Sequence, residues 1–219
     1  MLACGIALDI VAALVFLRDA KVVHGRLNST QIFVTHDGHA KVVQAGFGVE
    51  RLPAAATTVH VETAWMAPEH VQEEPAYTPE ADAYSFGMVC WEMVIRCITG
   101  EHVIPFYSDE ETLTEETDAA IRRKIATGNI PTLATREVAQ VFAAPPKIGR
   151  LYKNICQTKP TIRWALDRVD AEWAEFEAEN AADPKKWKNC LQNDGEVCQG
   201  EYANKRPRLV EATTPRATN

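Results

Sequence analysis

The side chains that could do chemistry by type and spacing are the cysteines, two histidines beside a turn, and two charge clusters. Cys4, Cys90, Cys97, Cys156, Cys190 and Cys198 are scattered, with no C-x-x-C pair. In a chain of this size they read as reduced, mostly buried thiols in a reducing compartment, although Cys190 and Cys198 could pair across a tail loop. His36 and His39 flank a turn and could bind a metal, but surface histidines are the preferred reading. The acidic stretch Asp109 to Asp118 leads into a helix, where carboxylates suit the helix dipole, and a solvated face is preferred over a metal site. Lys205-Arg206-Pro207-Arg208 is a weak nuclear-import-like cluster, set against a solvated tail. The formal charge of −7 argues against a nucleic-acid-binding surface, which needs a basic excess. It fits a cytosolic protein that meets other proteins or cationic segments.

The elements that must position such groups are legible from periodicity. A chain of 219 residues, 46% hydrophobic and 24% charged, can build one large domain plus a tail. A globular chain of this size buries roughly 70% of its unfolded surface. A first helix is predicted from Cys4 to Asp19, with Ile6, Ile10, Ala13, Leu14 and Leu17 as its apolar stripe. The apolar start, Met1 to Phe16, resembles a signal peptide but lacks a positive n-region and carries Asp9. Two short strands, Gln31 to Val34 and Ala40 to Val43, flank the Asp-Gly turn signal Thr35 to Gly38 and predict a hairpin. Gln44 to Pro79 reads as a long loop, of the kind that is functional or disordered.

Asp82 to Ile98 is apolar on nearly every face and predicts a helix buried on all sides, stopped by Gly100. The stretch Tyr84 to Ile98 carries Glu92 and Arg96 and is too short to span a bilayer, so no membrane segment is expected. Further helices are predicted from Thr117 to Thr127, from Pro145-Pro146 to Cys156, and from Arg163 to Glu179. The last carries the stripe Ile162, Leu166, Val169, Trp173 and Phe176. From Ala181 onward the composition predicts a mobile tail, so residues 1–180 form the domain and 181–219 the tail.

Several segments along this order are similar to the landmarks of a protein kinase C-terminal lobe. His24-Gly25-Arg26-Leu27-Asn28-Ser29-Thr30-Gln31 resembles the catalytic loop H-R-D-L-K-x-x-N. Gln44-Ala45-Gly46 falls where D-F-G is expected, and Ala67-Pro68-Glu69 is an intact A-P-E. Asp82-Ala83-Tyr84-Ser85-Phe86-Gly87 resembles D-x-W-S-x-G, and Lys159 to Arg163 resembles D-P-x-x-R. The first helix and the stretch around Trp91 look most like the tyrosine-kinase-like Ser/Thr group. The fold class so implied is mainly α, a helical C-lobe with a small β-hairpin. The glycine-rich loop, V-A-I-K strand, partner Glu helix and hinge of an N-lobe do not precede the first helix. The N-lobe is therefore expected to be absent, leaving its contact surface exposed.

The resemblance also says what the site should need. Phosphoryl transfer uses a carboxylate to accept the substrate hydroxyl proton, and an Asn and an Asp to hold magnesium. At those positions stand Arg26, Gln31 and Gln44, and Asn28 replaces the catalytic-loop Lys. Arg accepts no proton, and neutral amides are poor magnesium ligands. In an alternative register Gly46 takes the D-F-G aspartate position, and neither register supplies a carboxylate. His24 is implied to pack beneath the former D-F-G segment, Glu69 to pair with Arg163, and Asp82 to accept catalytic-loop N–H groups in an N-terminal capping arrangement. Thr57, Thr58 and Thr63 lie in the activation-segment equivalent as phosphorylation candidates. Arg26 is either an anion-binding residue at the old phosphate site or a solvated side chain.

The expected function is a catalytically inactive pseudokinase, not an enzyme, acting by protein–protein contact or scaffolding in signal transduction. It is expected to bind no ATP or magnesium, and to have other proteins as partners, a kinase or an N-lobe-like chain among them. Neither nucleic acid nor membrane is expected, and the compartment is the cytoplasm, with the nucleus as second choice. The alternative is a truncated or divergent Ser/Thr protein kinase transferring phosphate from ATP to protein.

Overall fold

The computed structural model describes residues 2–43, 61–72, 75–100, 102–107, 114–131 and 146–182. Among them lie five α-helices: α1 (Leu2–Asp19), α2 (Pro79–Thr99), α3 (Glu115–Ala126), α4 (Pro146–Ile155) and α5 (Leu166–Ala182). Strands β1 (Ile32–Val34) and β2 (Ala40–Val42) pair antiparallel, with Phe33 opposite Lys41. Among the described residues the mostly helical architecture with a two-stranded hairpin agrees with the mainly α class read from the sequence.

Helix α2 is the central post. Ala81, Tyr84, Phe86, Met88 and Val89 are buried, because flanking elements pack on it from several sides: α1, α4, α5 and the 3-10 turn Val61–Trp65. Its start lies three residues before the predicted one. Thr78 is the N-cap, its hydroxyl accepting from the Ala81 amide at 3.3 Å, and Pro79 follows with its φ already set for the helix. Asp82 is therefore not the cap of this helix, and its carboxylate is free for another segment. Gly100, at φ +73°, closes α2 through its amide on the Arg96 carbonyl at 2.9 Å, a left-handed geometry that glycine adopts without a Cβ clash.

Helix α1 lies on α2, α5 and β2, burying Ala7, Ile10, Val11 and Leu14. Asp9, out of place in an apolar run, accepts from the Ala40 amide at 2.7 Å and so ties the hairpin to the helix. Helix α4 lies so close to α2 that a Cβ on Gly87 would come within 2.4 Å of Cys156 Sγ. Helix α5 starts at Leu166 rather than at Arg163, because Pro160–Ile162 forms a separate 3-10 turn and Arg163 is extended. Ile162 is consequently 58% exposed and leaves the predicted stripe, whereas Val169, Trp173 and Phe176 are buried as expected. Trp173 meets Phe86 and Phe176 edge-on, at 6.5 and 5.5 Å between centroids.

The predicted helix 117–127 begins earlier, at Glu115, since Thr114 and Thr117 form a reciprocal capping box. Asp118, from the acidic stretch, accepts from Arg122 Nε on Oδ2 at 2.7 Å, while its buried Oδ1 has no hydrogen-bond partner among the described residues. Among the described residues no helix is long and apolar enough to cross a membrane. The residues 183–219 of the predicted tail, the D-F-G equivalents Gln44 and Gly46, Thr57 and Thr58 lie outside the described residues.

Candidate functional site

The segment His24 to Gln31 is a loop between α1 and β1, and its shape comes from three side chains. Asp82, in the first turn of α2, accepts the His24 amide on Oδ2 and the Gly25 amide on Oδ1, both at 2.8 Å. Two charge-assisted bonds at one carboxylate hold the loop against the central helix. Burial nevertheless pushes the Asp82 carboxyl up to about 6, with the two amides pulling the other way. Gly25 sits at φ +79°, which turns the chain so that residue 26 faces the opposite wall.

His24 is fully buried. Its Nδ1 accepts the Arg26 amide at 3.3 Å, so the ring proton is on Nε2, which donates to the Val43 carbonyl at 2.9 Å. Burial holds this ring below the ordinary histidine range and keeps it neutral. Asn28 is spent on the loop itself: its Nδ2 donates to the Arg26 carbonyl at 3.1 Å, and its Oδ1 accepts the Thr30 amide at 2.8 Å, capping the 3-10 turn Ser29–Gln31. The Arg26 backbone is thereby fixed at both its amide and its carbonyl.

The Arg26 side chain is neither idle nor simply solvated. Its Nε donates to Glu62 Oε2 at 2.9 Å, and Nη2 donates to the same oxygen. Glu62 belongs to the 3-10 turn Val61–Trp65, and that turn is anchored in its own right. Trp65 Nε1 donates to Glu92 Oε2 at 2.6 Å, while Ser29 Oγ donates to Glu92 Oε1 at 3.0 Å. One buried carboxylate of α2 therefore fastens both walls of the site. His102 stands 3.5 Å from the same group, and that contact raises its tendency to hold a proton. Thr63 is fully buried, and its hydroxyl accepts from Arg122 Nη2 at 3.3 Å, so it is no exposed phosphate acceptor.

Arg26, Glu62, Gly25, Leu27, Met66 and His70 line one small pocket between the loop and this turn. His70 is 6% exposed, stacks on Tyr77 at 4.7 Å, and its Nε2 has no partner among the described residues. The adjoining Glu69 meets Arg163 in a bidentate pair, Nη1 to Oε1 at 2.6 Å and Nη2 to Oε2 at 3.1 Å.

Among the described residues the segment from His24 to Gln31 brings no carboxylate to a magnesium ion. Gln31 offers a single neutral oxygen, Oε1, which is buried and has no hydrogen-bond partner among the described residues. A six-coordinate hard cation needs charged oxygens, and no cluster of three His, Cys, Asp or Glu residues is found among the described ones. At the hairpin His39 Nδ1 lies 3.2 Å from Asp9 Oδ2, and His36 is exposed.

A family model for protein tyrosine and serine/threonine kinases matches residues 2–141. The chain belongs to that family. Similar proteins include the serine/threonine-protein kinase STY46 of Arabidopsis thaliana, 31% identical over 46% of this chain and 17% of that protein. The serine/threonine/tyrosine-protein kinase HT1 of the same plant is 31% identical over 46% of the chain and 26% of its own length. Serine/threonine-protein kinase PAK 4 of Mus musculus is 29% identical over 75% of this chain and 22% of that protein. The kinase-family chain thus spans between 17% and 26% of the length of these relatives.

These comparisons correct the expectation that the chain is not an enzyme: the family and the relatives are named as kinases. That expectation weighs the side chains of the catalytic loop and of the D-F-G position. It leaves out the facing wall, where Glu62 stands 36 residues away in sequence. Glu62, His70 and Glu92 are the residues that sequence reasoning misses. The opposite charges of Arg26 and Glu62 are the one signal for the pair, and no local spacing connects them.

Proposed function

We propose that this chain is the large-lobe portion of a divergent Ser/Thr protein kinase, transferring phosphate from a nucleoside triphosphate to a protein hydroxyl. The subgroup is read as tyrosine-kinase-like, in keeping with the stretch around Trp91. The observation that carries the proposal is the anchored catalytic-loop segment. Asp82 clamps its start, and Glu92 fastens it to the opposite wall. A kinase must hold its reacting groups in place before anything else, since positioning and electrostatics supply almost all of this catalysis. No step is assigned to a metal held by this chain. The partners proposed are protein substrates. Cys156 is buried and forms no disulfide, which suits a reducing compartment such as the cytoplasm.

The test is transfer of labelled γ-phosphate from ATP to a degenerate Ser/Thr peptide library by the full-length protein, with magnesium and with a chelator. Incorporation above a no-protein blank is expected. Its absence in both arms, at protein concentrations near that of the peptide, overturns the proposal.

A further inference from the structure

Resting on the kinase reading above, we propose that Glu62 is the group that accepts the proton of the substrate hydroxyl, with Arg26 as its positioning residue. The catalytic loop carries no carboxylate among its side chains from His24 to Gln31. Its third residue is a cation, and that cation reaches across the pocket to a carboxylate. The site therefore keeps one acid and one base, with the carboxylate moved to the opposite wall.

The geometry suits the task. Both Arg26 donors, Nε and Nη2, fall on Oε2 of Glu62, and Oε1 makes no hydrogen bond among the described residues. One oxygen is thus held while the other keeps its lone pairs for an incoming proton. The Glu62 side chain is 28% exposed and that of Arg26 34%, so a peptide hydroxyl can reach them. The backbone of Arg26 is bonded at both ends, and the turn bearing Glu62 is tied to Glu92 through Trp65. Held in this way, the carboxylate meets an incoming hydroxyl without a reorganisation of either wall. In the step, a lone pair of the hydroxyl oxygen forms a bond to the γ-phosphorus. The bond from that phosphorus to the bridging oxygen breaks, its electron pair leaving on the nucleoside diphosphate. The hydroxyl proton passes to Glu62, and its bonding pair stays on the new ester oxygen. The Arg26 guanidinium lies beside the transferred charge, where Asn28 has replaced the cation.

The experiment compares wild type, Glu62→Gln and Glu62→Asp in the peptide assay across a range of pH, with the melting temperature of each. Gln keeps an oxygen for Arg26 and removes the proton-accepting charge. Its kcat is expected to fall roughly 10²-fold or more, with KM for the peptide little changed and the acid limb of the pH–rate profile lost. Glu62→Asp is expected to recover part of the rate together with the acid limb. An active wild type with Glu62→Gln within about threefold of it overturns the role of Glu62 and leaves the kinase reading standing. A wild type with no transfer overturns the kinase reading, and the role of Glu62 falls with it. Should Glu62→Gln melt below the assay temperature, Glu62→Ala decides: a rate within about threefold of wild type overturns the proposal, and a loss of roughly 10²-fold or more together with the acid limb supports it.

Discussion

Replacing Arg163 with Met removes the most heavily used cation of the fold and should cost about 3–5 kcal/mol. The side chain is fully buried and lies 5.1 Å over the Tyr84 ring. Besides the two bonds to Glu69, Nη1 donates to the Glu80 carbonyl at 2.7 Å, and Nε and Nη2 donate to the Gln157 carbonyl at 3.0 and 2.8 Å. Methionine fills the volume of the stem but leaves Glu69, itself 6% exposed, as a buried carboxylate with no counter-ion. Breaking one side of a buried pair costs about 3–5 kcal/mol, most of it the desolvated charge left behind. For a domain of this size that is a fall of roughly 6–20 °C in melting temperature. Glu69→Gln keeps one acceptor oxygen and should cost less, about 1–3 kcal/mol. The double change Glu69→Met, Arg163→Met should regain the carboxylate's share but not that of the Glu80 and Gln157 carbonyls. It therefore lands between the two singles' sum and wild type. Urea unfolding at equal m-value, analysed as a double-mutant cycle, measures this directly. A coupling below about 0.5 kcal/mol, or an Arg163→Met loss under about 1 kcal/mol, would refute the reasoning.

Two further outcomes are expected. Burial holds His24 and His70 below the ordinary histidine value, so the unfolded chain binds protons that the native state refuses. Their contribution is complete above about pH 6.5 and is lost as pH falls through the window below it. Asp82 works the other way: raised to about 6 from 3.8, it holds an extra proton in the native state, and its contribution falls as pH rises through that window. Asp82→Asn should therefore lose stability more steeply on acidification than wild type, and His24→Asn less steeply, as read from urea midpoints between pH 7.5 and 5. Gly87→Ala should cost about 1–3 kcal/mol by overpacking, since its Cβ would lie 2.4 Å from Cys156 Sγ and 3.0 Å from Ile155 Cγ2. Adding Cys156→Ala should return most of that loss, and a melt of the single and double variants checks both.

Local order was readable where one residue's neighbours in sequence are also its neighbours in space. The 3.6-residue spacing of Ile10 and Leu14 fixes the buried face of α1, and Gly100 stops α2 by a preference confined to its own backbone. Misreadings arose where a side chain answers to a distant partner. Asp82 is misread only as the cap, which is Thr78, for the resemblance already implies the loop amides that it accepts 57 and 58 residues earlier. Arg163 is misread only as the opening of the last helix, where its backbone stays extended, for its pair with Glu69, 94 residues away, is the one the resemblance implies. Asp9 reads as a blemish in an apolar stripe until the hairpin amide that it accepts is in place.

The catalytic loop divides in the same way. The amino-acid sequence by itself determined which side chains stand at positions 24 to 31, and so that no carboxylate of that loop is available. It also determined the family, because that depends on the order and type of residues along the chain. Only the tertiary structure decided what Arg26 does. A guanidinium can bind phosphate, face water or hold a carboxylate, and these alternatives differ in which atoms lie within 3 Å. The turn at Gly25 and the anchoring of Trp65 by Glu92 bring Glu62 there. That closeness comes from packing two segments against α2, and no property of either segment alone contains it.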